Sequence, residues 1–214
     1  VRAPKTKSPQ QDHDARPVRA DARRNAEALL EAAMKVFATS GVEAPSREIA
    51  EKAGVGVGTL YRHFPRRSDL VVAVFRNEVD ACADAAASLA AAHGPAEALA
   101  RWMQRYVDLI AAKRGLAGAL SSDDPAFQSL PNYFLDRIRP ALQSLLEAAI
   151  ASGDIRPDVD ANELLPAVAK LCKPDAYGGT PEQARRMVAL LVDGLRYGAQ
   201  PAPPARKTGR SSRK

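Results

Sequence analysis

The chain has 214 residues, 46% of them hydrophobic but only 5% aromatic, with a formal net charge of +6. That length suits one or two domains with a sizeable core, and no apolar run approaches the ~18 residues that a membrane span needs. The positive excess lies wholly in the two ends, residues 1–20 and 199–214, so global charge does not argue for a nucleic-acid partner and the local placement of bases must.

Residues 1–20 are polar, charged and interrupted by Pro4, Pro9 and Pro17, and they are expected to form a disordered tail. Such a basic arm either solubilises the chain or reaches into a DNA minor groove. A helix is expected from Asp21, with Leu29, Leu30, Ala33, Val36 and Phe37 recurring at three and four residues and Gly41 as its stop. The next helix spans about residues 45–53, with Pro45 at its first position, Ile49, Ala50 and Ala53 toward the core, and Gly54 at its end. A third helix is expected to be capped near Gly56 and to run to Phe64, where Pro65 stops it. Ser68 is placed to cap a long fourth helix reaching about Ala92.

Beyond His93-Gly94-Pro95 the pattern stays helical. Leu99, Trp102, Met103, Tyr106, Val107 and Ile110 make one apolar stripe, and a short helix follows at residues 116–120. The segment 125–152 is expected to be interrupted by Pro131 and Pro140. Residues 153–157 turn the chain, and helices are expected over 161–172 and 181–197. Alanine-rich runs at 81–92 and 141–151 favour helix, and no stretch alternates like a strand, so the fold class is all-α. The last sixteen residues, 199–214, are expected to form a second, basic disordered tail. Cys82 and Cys172 read as reduced core thiols, with a disulfide as the lesser alternative. A cytoplasmic location is expected, since no signal segment is seen.

The segment SREIAEKAGVGVGTLYRHFPRRSDL, residues 46–70, joins two short helices through a glycine turn and crowds aromatic and basic residues at the end of the second. That is the make-up of a helix-turn-helix, which pushes one helix into a DNA groove. Other chemistries do not fit. The glycines of 54–58 follow a helix and lack the Gly-Lys-Ser/Thr of a phosphate loop. His13, His63 and His93 are scattered, so no metal or triad constellation is visible, and no cofactor or enzymatic activity is expected. Asp123 and Asp124 beside Pro125 read as a turn and a helix start.

The runs AEALLEAAMKVFATSGV, REIAEKAGV and GTLYRHFPRRSDL together, over about fifty residues, resemble the DNA-binding head of the TetR repressor family. The resemblance implies a three-helix head over residues 21–70 and a larger helical ligand-binding and dimerisation domain over 71–198. It implies that Val57, Gly58, Thr59 and Leu60 open the recognition helix, Leu60 either meeting a thymine methyl or packing inward. It further implies that Tyr61 and His63 touch phosphates, that Arg47 meets the backbone or groove, and that Arg67 stands where a phosphate-binding base is common, with Arg62 and Arg66 assisting. Two departures are visible: Gly56 stands where Ser or Thr often caps the third helix, and Ala44-Pro45 where a threonine often opens the second.

The implied partners are a double-stranded DNA operator, a second copy of the chain and a small-molecule effector. Leu164, Leu165, Val168 and Leu171, with Met187, Leu190, Leu191 and Leu195, are the candidate dimer surface. Trp102, Met103, Tyr106, Phe127, Tyr133 and Phe134 are candidate pocket walls, each alternatively plain core. The function expected is a palindrome-binding repressor released by its effector; the alternative is a constitutive DNA-binding protein without one.

Overall fold

The computed structural model describes residues 10–173 and 179–197, with side chains from residue 21 onward. Among these it contains nine α-helices and no strand: α1 Gln10–Ser40, α2 Ser46–Lys52, α3 Val57–His63, α4 Arg67–Ala92, α5 Pro95–Gly115, α6 Ala117–Leu120, α7 Leu130–Ala151, α8 Ala161–Leu171 and α9 Pro181–Arg196. A 3-10 turn, Pro125–Phe127, precedes α7 and is capped by Asp124, whose carboxylate accepts from the Ala126 N–H at 2.9 Å. None of the described helices is long and apolar enough to cross a membrane.

Several boundaries differ from the sequence expectation. Residues 10–20 are helical rather than a disordered tail, because extending an already formed helix gains a hydrogen bond for each residue fixed. The expectations for residues 1–9 and for 199–214 fall outside the described residues. Pro45 is the N-cap of α2, with extended backbone, rather than its first helical residue. At the start of α4 the Asp69 carboxylate, not Ser68, accepts from the Arg66 N–H at 3.0 Å. Neither Pro131 nor Pro140 breaks α7, since the first lies in the opening turn and the second on the exposed side, where one lost hydrogen bond is tolerated.

The described residues divide into two compact units, 10–78 with 112–134, and 79–111 with 135–173 and 179–197. The boundary expected at residue 70 therefore falls inside the first unit. In that unit Leu29, Val36 and Phe37 of α1, Ile49 of α2, Leu60 of α3 and Leu70, Val71 and Val74 of α4 are buried. Gly115 belongs to it as well. A methyl group there would lie 3.3 Å from the Phe37 carbonyl oxygen, a tight contact that would require the neighbouring backbone to give by a few tenths of an ångström.

The second unit is built around Trp102, which stacks on Tyr106 with centroids 5.7 Å apart and rings 7° from parallel. Its indole N–H donates to the Cys82 carbonyl at 2.9 Å. Burial holds the Tyr106 hydroxyl well above its ordinary pKa, so it stays protonated and donates to the Leu165 carbonyl at 3.4 Å. Arg137 of α7 bridges Asp80 and Asp84 of α4 at 2.6 and 2.7 Å, and Arg185 of α9 reaches Asp108 of α5 at 2.7 Å. These pairs are largely exposed and fix register more than they stabilise.

The turn between α2 and α3 needs a left-handed residue. Gly54 has φ +70°, its N–H bonds to the Glu51 carbonyl, and the Val55 N–H bonds to that of Ala50 at 3.0 Å. Gly54→Ala is expected to lower unfolding free energy by about 1 kcal/mol, read as a lower urea midpoint at unchanged slope.

Candidate nucleic-acid interface

Helices α1, α2 and α3 pack on one another. Of the seven residues of α3 only Leu60 is buried, at 2% exposure. Gly58, Tyr61 and Arg62 are exposed, and Val57, Thr59 and His63 are half-buried. The helix is thus pinned by one leucine and offers nearly all its other side chains outward. Gly56 caps it through its backbone alone, its carbonyl accepting from the Thr59 N–H at 2.8 Å.

The expected recognition residues sit as follows. Val57, Gly58 and Thr59 form the first turn of α3, on the accessible side. Leu60 packs inward, so of its two expected roles the core one holds. The Tyr61 ring is 52% exposed, and His63 lies beside Phe64 with centroids 6.1 Å apart. Arg47 is exposed at the second position of α2, and Lys52, which the sequence reading did not single out, is exposed in its last turn.

Arg67 is a correction. Its guanidinium is turned inward, Nε donating to the Val42 carbonyl at 2.7 Å and Nη2 to those of Val42 and Ala44, the latter at 2.6 Å. It also covers the Phe37 ring, 4.9 Å from the centroid. Burial lowers its pKa from the ordinary value, but a guanidinium so far above neutrality keeps its charge. The residue ties the α1–α2 loop to the start of α4 and is not aimed at a phosphate. Arg66 is likewise engaged, pairing with Asp69 at 3.3 Å.

A feature not expected from sequence lies on α3 itself. Arg62 folds back along the helix, Nε donating to the Gly58 carbonyl at 3.1 Å and Nη2 to the Thr59 hydroxyl at 2.9 Å. The i−4 and i−3 spacing was the available signal. Thr59, Arg62 and His63, with Asp21, Ala22 and Asn25 of α1, line an open polar hollow of about 250 Å3.

The remaining candidates divide between the two units. Trp102, Met103 and Tyr106 belong to the second and are at most 2% exposed. Phe127, Tyr133 and Phe134 belong to the first, where Phe75 meets Phe134, Arg76 covers Tyr133 and Lys113 covers Phe134. Among the dimer candidates Leu164, Leu165, Val168 and Leu195 are buried within the chain and cannot offer surface, because α8 and α9 pack those faces into their own unit's core. Leu171, Met187 and Leu190 are 41%, 39% and 66% exposed, and Leu191 is half-buried.

Comparison with known proteins places both parts of the chain. Residues 29–74 match the bacterial regulatory proteins of the tetR family, and residues 94–197 match the C-terminal domain of SbtR-like transcriptional regulators. A TetR transcriptional regulator from Streptomyces coelicolor is 38% identical with a TM-score of 0.67, the alignment covering 80% of this chain and 98% of that one. A TetR transcription regulatory protein from Mycobacterium vanbaalenii is 40% identical with a TM-score of 0.67, covering 84% and 99%. An HTH-type transcriptional regulator of Staphylococcus aureus is 44% identical over 64 residues, 29% of this chain and only 35% of its own length.

The inward placement of Arg67 has a measurable consequence. Arg67→Met strands two loop carbonyls and is expected to cost about 2 kcal/mol of stability in urea unfolding. Arg67→Lys restores only part, since an ammonium cannot span both carbonyls as a planar fork does.

Proposed function

This chain belongs to the TetR family of transcriptional regulators, and on that premise we propose that it is a repressor whose homodimer binds a palindromic operator and is released by a small-molecule effector. The observation that carries the DNA-binding part is the outward face of α3: of its residues only Leu60 is buried, Gly58, Tyr61 and Arg62 are exposed and Val57, Thr59 and His63 half-buried, while Leu60 and the Gly54 turn fix its direction. A helix held this way can enter a major groove with its first turn against base edges. Thr59 supplies a hydroxyl and Val57 a methyl surface for thymine. A methyl group built on Gly58 would meet nothing within the chain, so the small residue there suits close approach by an outside partner. Tyr61, His63 and Arg47 are proposed to meet phosphates. Arg67 is not among the contacts.

Dimerisation is proposed through the outward face of α8 and α9. Met187, Leu190, Leu191 and Gly194 recur at three and four residues along the face that flanks the buried Ala184, Val188 and Val192, and Leu171 adds to the same apolar character. Such a pair would set two recognition helices about one duplex turn, roughly 34–36 Å, apart.

The effector is proposed to bind in the part that matches the SbtR-like C-terminal domain, with Trp102, Met103 and Tyr106 as its aromatic and apolar surroundings. Release then requires only that the effector favour the conformation whose heads miss the groove register. The alternative, constitutive binding without an effector, is favoured by one observation: Trp102 and Tyr106 are stacked and closed off already. An effector that binds the purified protein and lowers operator affinity decides for the first reading.

Selection of duplexes from a random pool by the purified protein is expected to return two inverted half-sites about one turn apart. Enrichment of a single asymmetric site would count against the homodimeric reading. On the selected operator, Arg47→Ala is expected to weaken all duplexes alike and lower the salt slope by about one, whereas Thr59→Val should change base preference. Leu190→Glu is expected to shift the protein to monomer in sedimentation and to weaken operator binding at least ~tenfold through lost avidity.

A further inference from the structure

We propose that Arg62 is a positioning residue for base readout: by donating to the Thr59 hydroxyl it turns that hydroxyl into a hydrogen-bond donor directed at acceptor-bearing base edges. The inference rests on the reading of α3 as the recognition helix and names the chemistry that its first turn selects.

A threonine hydroxyl has one hydrogen and two lone pairs, and which of them faces outward depends on its neighbours. In a helix the hydrogen commonly goes to a carbonyl one turn back. Thr39 in α1 does this, donating to the carbonyls of Lys35 and Val36 at 3.2 Å each. Thr59 stands differently. It is the third residue after the Gly56 cap, so the residue four back is Val55, outside the helix, and among the described residues no carbonyl accepts from its hydroxyl. Instead the oxygen accepts from Arg62 Nη2 at 2.9 Å, while Arg62 Nε bonds the Gly58 carbonyl at 3.1 Å. Two bonds from one planar group fix the guanidinium along the helix.

With a lone pair of Thr59 Oγ1 held by a cation, its hydrogen is turned away from the guanidinium and is free for an acceptor brought by an outside partner. The titratable and charged groups lining the adjoining hollow are Asp21, itself paired with Arg24, Arg62 and His63. In the major groove the edges that accept a hydrogen bond are guanine N7 and O6, adenine N7 and thymine O4, while cytosine presents an N4 donor. The Thr59–Arg62 pair therefore selects purine or thymine and disfavours cytosine at the base it meets. Exclusion of water in the groove strengthens the Arg62–Thr59 bond, which is weak while exposed.

The test uses the full chain, the operator from random-pool selection and a set of duplexes carrying each base at each half-site position. Thr59→Val is expected to flatten discrimination at one position by about tenfold with the salt slope unchanged. Arg62→Lys keeps the charge but loses the fork, and is expected to flatten the same position without changing the slope. The double variant should be no worse there than the poorer single one. The proposal is overturned if Arg62→Lys keeps the discrimination that Thr59→Val loses, or if the two losses add. It is also overturned if Arg62→Met lowers affinity for every duplex alike with a slope smaller by about one, which marks a phosphate contact. Thr59→Val with no change at any position would remove the base-reading role of Thr59 itself, a failure distinct from that of Arg62.

Discussion

Everything about the head depends on how a seven-residue helix that buries one side chain is held in a fixed direction. Leu60 alone cannot set the orientation of α3, because a single knob leaves rotation about its own contact. Two further constraints complete the frame. Gly54 fixes the exit angle of α2 through its left-handed backbone and the paired bonds of Gly54 and Val55. Arg67, on the far side of α3, ties the start of α4 to the carbonyls of Val42 and Ala44 and to the Phe37 ring. The chain is thereby anchored before α3 to the end of α2 and after it to the end of α1 and its loop, and the exposed face can be polar without loss of direction.

This arrangement also explains why charge counting is a poor guide here. Many bases of the head are already engaged: Arg23 with Glu27, Arg24 with Asp21, Lys35 with Glu31, Arg66 with Asp69, and Arg67 with the loop. The surface pairs are weak enough to exchange for phosphates at low salt, whereas Arg67 is tied to backbone and is not. Arg47 and Lys52 are left on the exposed side of α2, while Arg62 of α3 is already bonded to Gly58 and Thr59. On the proposed reading, phosphate attraction per head is modest, and orientation and shape carry more of the recognition.

The helical architecture was legible because its signals are local. Apolar spacing in α1 and α5 and the stops at Gly41, Gly54 and Gly153 each act within a few residues. What escaped is non-local. Nothing in FPRRSDL distinguishes Arg67 from Arg66, since its partners lie 23 and 25 residues away in a loop that offers only backbone oxygens. Gly115 looks like a simple helix end, yet it lies close against the Phe37 backbone, distant in sequence but in the same unit. The leucines of α8 and α9 all read as one apolar surface. Only packing separates the buried Leu164, Leu165 and Leu195 from the exposed Leu171 and Leu190.

That last division bears on how two weak heads would bind tightly. A helix pair that buried all its leucines internally would leave nothing for a partner, and one that buried none would lack a core. Here Val188 and Val192 face inward while Met187 and Leu190 face outward, so α9 has an apolar residue on both sides over the same turns. An exposed apolar stripe beside a buried one marks a surface that a partner can cover. Covering it with a second copy joins two recognition helices in one molecule, and the second head then binds at an effective concentration set by the frame rather than by bulk protein. On the proposed reading, the exposed apolar residues of α9 and the sparse bases of α3 act together: limited affinity per head is recovered through pairing.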